Sequence, residues 1–128
     1  KKRPEAERIW NGEKLRVLRA QGEGIHGISG SSGTATGPAC VVRGPEEFHK
    51  LKKGDILICH YTDPEWTPLF TLAAAVVSDT GGSLSHAAIV AREYGIPAVL
   101  GTCTATEDIK DGELILADGN TGEVKRIE

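Results

Sequence analysis

The chain of 128 residues contains no methionine, not even an initiator, which predicts that it was cut from something longer. Cysteine is scarce. Cys40, Cys59 and Cys103 are odd in number, widely spaced and form no C-x-x-C pair, so reduced thiols in a cytosolic protein are expected rather than a disulfide framework or a metal site. No apolar run approaches the roughly 20 residues that a membrane helix needs, and no signal-peptide pattern opens the chain. The expected location is therefore cytoplasmic, without a membrane partner. A formal net charge of only −3 gives no electrostatic reason to expect nucleic acid or an anionic membrane as partner. The remainder is ordinary: 39% hydrophobic and 26% charged residues describe a soluble globular chain, long enough for one domain and too short for two.

Residues 1–21 are charged and hold only scattered large apolar residues, among them Trp10, Leu15 and Val17; they read as a linker or N-terminal arm. Residues 22–128 form the domain. "GEGIHGISGSSGTATGPACVV" is dense in Gly and Ser before a strand at Ala39 to Val42, which predicts tight turns and bulges between short strands. "GPEEFHKLKKGD" reads as a short amphipathic helix stopped by Gly54. "DILICHY" is an apolar strand, and "TDPEWTPLF" is a turn with room for one helical turn. "AAAVVSD" and "PAVLG" are buried strands on either side of a helix that ends at Gly95, with Pro97 just beyond. "ELILA" and "EVKRI" flank "DGNTG" as a hairpin. The expected class is α/β or α+β, in one domain.

The segment "SDTGGSLSHAAIVAREYGIPAV", Ser78 to Val99, carries the chemistry. In a strand–turn–helix–strand unit the turn lies at the carboxyl end of the strand, where ligand sites gather. Gly81 and Gly82 permit a sharp turn and close backbone approach, and Ser83 or Ser85 can cap the helix. His86 then falls in the first helical turn, beside N–H groups without intrahelical partners and at the positive end of the helix dipole. That end opposes a positive charge on the ring and stabilises a phosphoryl group on it. At about 100° per residue, Leu84, Ala87, Ala88, Ala91 and Gly95 form one packing face. His86 lies roughly opposite, near Glu93, with Ile89 and Val90 on its flanks. The residues alone leave a surface or capping histidine open beside a catalytic one.

"GGSLSHAAIVAREYGIPAVLGT", Gly81 to Thr102, closely resembles the phosphohistidine signature of the phosphoenolpyruvate-utilising enzymes, such as pyruvate phosphate dikinase, phosphoenolpyruvate synthase, rifampicin phosphotransferase and enzyme I of the sugar phosphotransferase system. "GISGSSGTATGPACVV" and "DGELILADGNTGEVKRI" resemble the beginning and end of the same mobile domain, so the likeness spans about Ile25 to Glu128. It implies a single swivelling β/β/α domain whose phosphohistidine, His86, takes a phosphoryl or pyrophosphoryl group at one site and delivers it at another. By the same match Gly81, Gly82, Ser85 and Arg92 support the phosphohistidine; for Arg92, phosphate contact and helix–strand packing both stay open. Leu84 stands where plant-type dikinases carry a regulatory threonine, which excludes control by phosphorylation there. "TDPEWTPLF" looks more like rifampicin phosphotransferase and its relatives than like enzyme I.

The resemblance implies ATP-binding and acceptor-binding domains or subunits as partners. The chain itself has neither phosphate-loop motif nor a run of acids spaced like a Mg²⁺ site, so ATP and Mg²⁺ are expected in those partner domains and no cofactor or metal on this one. Other candidates are weaker. His49 reads as solvated. Cys59 and His60 point to opposite faces of a strand and make a poor metal pair. Cys103 reads as a buried thiol, and Trp66 as a core anchor before a docking residue. Asp79 is placed to reach the site or to form the turn. The competing function is a catalytically silent β/β/α interaction module that keeps the signature for packing.

Overall fold

The computed structural model describes residues 25–127, so the arm assigned to residues 1–21 lies outside the described residues. Three short apolar runs, Ile56–Cys59 (β4), Ala75–Ser78 (β5) and Ala98–Leu100 (β6), are buried at every position. Strands covered on both faces need no polar alternation, which is why each reads as an unbroken apolar run. They lie parallel to one another and to β3 (Thr34–Val41), with Ala39 opposite Ile56, Ile56 opposite Ala75 and Val76 opposite Ala98. Each parallel step needs a crossover. These are the 3-10 helix η1 (Pro45–Lys50), the 3-10 helix η2 (Pro64–Thr71) and helix α1 (His86–Tyr94).

All three crossovers pack on one face of the sheet. Phe48 of η1, Trp66, Leu69 and Phe70 of η2, and Ala87, Ala88, Val90 and Ala91 of α1 cluster with Leu57, Cys59, Val76 and Leu100. The other face carries Ile56, Ile58, Ala75, Val77 and Val99. It packs on Ile115 and Ala117 of β7 (Leu114–Asp118), Val124 of β8 (Glu123–Arg126) and Ala105 of the short helix α2 (Ala105–Asp108). The outcome is three layers, β/β/α, as the sequence led one to expect. β7 and β8 form the expected antiparallel hairpin, with Asp118 opposite Glu123.

One segment holds both ends of the sheet. β1 (Ile25–His26) pairs with β8, while β2 (Ile28–Ser31), one glycine later, pairs with β6 across a bulge between Ser29 and Ser31. The strand order is β1-β8-β7-β3-β4-β5-β6-β2, so the sheet curls until its ends meet on residues 25–31. Where they meet there is no room for side chains. A Cβ on Gly119 would sit 1.9 Å from the Ser31 carbonyl oxygen, and the Gly119 N–H donates to the Gly33 carbonyl at 2.7 Å.

Several local expectations change. β3 starts at Thr34 rather than Ala39 because its polar first half pairs with β7, Thr34 opposite Asp118, before its second half joins β4. The segment after Gly44 is a 3-10 helix, not an amphipathic α-helix. Leu51 must turn out of it into the core, so the backbone becomes extended at that residue and its N–H bonds back only to Phe48. η2 is longer than a single turn. Asp63 opens it by accepting the Glu65 N–H at 2.9 Å, and the helix continues through Pro68.

Candidate functional site

β4 and β5 end side by side, Cys59 opposite Ser78, and both continue into loops at the carboxyl edge of the parallel sheet. The two loops are laced together. The His60 carbonyl accepts from Ser78 Oγ at 3.1 Å, from the Thr80 N–H at 3.1 Å and from Thr80 Oγ1 at 3.0 Å. Gly81 then takes φ +98°, a region that side chains rarely enter, and a Cβ there would press on Ser85 at 3.0 Å. Around Gly82 the same test finds open space.

Ser85 is the N-cap of α1, yet its hydroxyl donates to the Gly82 carbonyl at 2.8 Å instead of capping the helix. The first intrahelical bond runs from the Ile89 N–H to the Ser85 carbonyl. The N–H groups of His86, Ala87 and Ala88 therefore have no acceptor among the described residues, the arrangement that receives anions at helix N-termini. The helix closes at Gly95, φ +72°, whose N–H returns to the Ala91 and Arg92 carbonyls.

His86 is the first residue of α1 and half-buried. Its side chain leans on η2. Its ring meets Phe70 edge to face, 6.2 Å between centroids, and Nδ1 lies 2.8 Å from Thr62 Oγ1. Thr62 is a partner of His86 that the sequence reading did not single out. It is 24 positions upstream, and only the parallel pairing of β4 with β5 brings the loop that carries it to the start of α1.

Arg92 lies in the last turn of α1, and its guanidinium faces carbonyls: Nε donates to Gly30 at 2.8 Å and an Nη to Ser83. These contacts tie the His86 turn to β2. Leu84 departs from its assigned packing face and is 85% exposed, because the helix begins only at His86 and its periodicity does not reach back that far. Val90, placed beside the histidine, is buried, while Ile89 is exposed. Gly95 sits exposed at the cap rather than on the packing face.

Asp79 is 5% exposed and does not reach His86. It accepts from the Thr106 N–H at 3.0 Å, from Thr106 Oγ1 at 2.6 Å and from His60 Nδ1 at 3.2 Å, fastening α2 and the β4 loop to the end of β5. Cys103, read as buried, is exposed and adopts φ +73° in the turn after β6. Cys59 is buried, and burial pushes its thiol up to about 12. Trp66 is a core anchor, edge to face with Phe48 at 4.9 Å between centroids.

Comparison with known proteins agrees with this geometry. The family model for the mobile domain of PEP-utilising enzymes matches residues 51–122. The uncharacterized phosphotransferase YvkC of Bacillus subtilis is 57% identical over 100 residues, covering 78% of this chain and 12% of the relative. The phosphoenolpyruvate synthase of Aeropyrum pernix is 45% identical over 124 residues, covering 96% of this chain and 14% of the relative. The rifampicin phosphotransferase of Bacillus cereus is 45% identical over 103 residues, 80% of this chain and 12% of the relative. The chain thus spans about an eighth of the length of these relatives. An enzyme I structure solved by NMR aligns with TM-score 0.54 and 32% identity over 62% of this chain and 33% of its own. Aconitase X of Thermococcus kodakaraensis aligns with TM-score 0.62 at 20% identity over 84% of this chain and 100% of its own, a likeness of fold alone. Sequence, layers and the matched segment converge: the chain belongs to the PEP-utilising enzyme family, as its mobile domain.

Proposed function

We propose that this domain carries a phosphoryl group on His86 between two sites of a larger phosphotransferase. The observation that supports it most is the pairing of His86 Nδ1 with Thr62 Oγ1 at the mouth of an uncapped helix N-terminus. When Nδ1–H donates to the threonine hydroxyl, the lone pair of the neutral ring resides on Nε2, which has no hydrogen-bond partner among the described residues. That pair attacks the phosphorus of the donor; the donor's P–O bond breaks and its electrons leave with the donor oxygen. The phosphoryl oxygens then lie at the positive end of α1, whose first three N–H groups have no other acceptor among the described residues. In the return step an acceptor oxygen attacks phosphorus, the P–Nε2 bond breaks and its electron pair returns to the ring. A hydroxyl acceptor releases its proton to Nε2 or to solvent. Gly81 and Ser85 set the turn that places the ring, Gly82 leaves space beside it, and Arg92 holds the Ser83 end of the turn.

ATP with Mg²⁺, or phosphoenolpyruvate, supplies the group from an ATP-binding or acceptor-binding domain, and this domain alone turns over nothing. Leu84 and Ile89, exposed beside His86, form a small patch suited to brief docking rather than to a permanent interface. The test is mass spectrometry under alkaline conditions after incubation of the intact enzyme with its donor. One acid-labile phosphate on His86, absent in His86→Ala, is the expected result. An unlabelled His86 in an enzyme that turns over would sink the proposal and leave a silent interaction module.

A further inference from the structure

The carrier reading uses His86 and Thr62 but leaves a second histidine and a buried carboxylate unexplained. Asp79 is ionisable, only 5% exposed, and spends its oxygens on Thr106 of α2 and on His60. As a carboxylate it can only accept, so Nδ1 of His60 carries the hydrogen in the bond between them, and the ring has one fixed orientation. The carbonyl of the same residue takes three further donors from Ser78 and Thr80. His60 is therefore gripped at both its backbone and its ring by the end of β5. The next residue, Tyr61, lies against Trp66 with ring centroids 6.4 Å apart. The one after that is Thr62, whose hydroxyl meets His86.

Resting on the carrier reading, we infer that His60 is a positioning residue for His86, acting through Thr62. The Asp79–His60 bond fixes the first of three consecutive residues, and the last of the three orients the reacting ring. The ring of His60 is itself mostly exposed, with a side-chain exposure of 65%. Nothing in its burial demands a histidine; its side chain contributes the bond to Asp79 and an edge-to-face contact with Tyr61, 5.9 Å between centroids, and both bear on the segment that leads to Thr62. Threonine and histidine meet at 2.8 Å, so a shift of about 0.5 Å or more in the His60–Thr62 segment carries the pair beyond normal hydrogen-bond distance.

The experiment needs no partner domain. The chain is treated with phosphoramidate, a small donor that phosphorylates imidazole with loss of ammonia, and the labelled histidine is located by fragment mass under alkaline conditions. In parallel, ring ¹⁵N shifts report the tautomer of His86. The wild-type ring should show one dominant tautomer with hydrogen on Nδ1. His60→Ala should average the two tautomers and slow labelling of His86 by about three- to tenfold, the scale of a lost orienting contact. His60→Asn, whose amide can still donate to Asp79, should restore both readouts to within about twofold. Retained amide dispersion in His60→Ala separates positioning from unfolding; should that variant unfold, His60→Gln, which places its donor one carbon too far out, takes its place. Wild-type tautomer and labelling rate in a folded variant lacking the Asp79 bond overturn the inference. Because neither readout uses the enzyme's own donor, failure of the carrier reading would show separately, as an unlabelled His86 in the intact enzyme.

Discussion

Thr62 touches His86 with a single hydroxyl at 2.8 Å, and that atom divides substitutions cleanly. Thr62→Ser keeps the oxygen and should leave phosphoryl loading of His86 within about twofold. Thr62→Val keeps the shape, removes the oxygen and should slow loading by about tenfold, comparable to a lost hydrogen bond of about 1.4 kcal/mol. The two rates, measured by quenched-flow in the intact enzyme, test whether orientation of the ring limits the step. Thiol chemistry is also a matter of single residues. Burial holds the Cys59 thiol protonated up to about 12, against 9.0 for the free group. Above pH 9.0 the unfolded chain gives up this proton while the folded one keeps it. The stabilisation from the retained proton is complete below that pH and disappears as pH rises towards about 12. Cys59→Ala should flatten this alkaline decline, read as the difference in urea midpoint between neutral and alkaline pH, and an unchanged decline would refute the assignment.

At the scale of elements, the fold depends on places where backbones touch. Gly119 joins the β7–β8 hairpin to β2, and an added Cβ would meet the Ser31 carbonyl oxygen at 1.9 Å. The obstacle is backbone on a strand that closes the sheet, so it cannot step aside. Gly119→Ala should cost more than about 3 kcal/mol. Gly54 has φ +93° but nothing within 4 Å of an added methyl, so Gly54→Ala should cost only the left-handed backbone penalty of about 1 kcal/mol. Equal losses in denaturant titration would show that the closure is not tight. Helix α1 illustrates a milder dependence. Its small residues Ala87, Ala88 and Ala91 allow close approach to β5 and β6, and that approach sets where the N-terminus points.

For the whole molecule, the two core clusters and the closing segment all lie within residues 25–127. Residues 1–21, read from the sequence as an arm, lie outside the described residues. Deleting residues 1–21 should shift the melting temperature by less than about 2 °C, whereas a fall of several degrees, on the order of 1 kcal/mol, would make the arm part of the fold. The proposed carrier role asks for weak docking at each end of its path, and Leu84 and Ile89 are exposed apolar residues at the start of the His86 helix.

The sequence by itself determined the identities of the buried strands, the end of α1 at Gly95 and the position of His86 in its first turn. These are local matters: unbroken apolar runs, a glycine pair, and a Gly95 stop that any fold containing them must respect. It also determined the family, through an unbroken signature around the histidine. Tertiary structure alone decided which groups surround that histidine. Thr62, His60 and Asp79 come together because β4 and β5 pair in parallel and end at the same level, and pairing register between segments some 20 residues apart leaves no local trace. Likewise the exposure of Leu84 and the burial of Val90 depend on where the helix begins and what packs on it, not on a periodicity extended past its first residue. The placement of the Arg92 guanidinium on backbone carbonyls was decided in the same way. Its length and charge suit phosphate, but the carbonyls of Gly30 and Ser83 lie within reach only once β2 has crossed beside α1 to close the sheet.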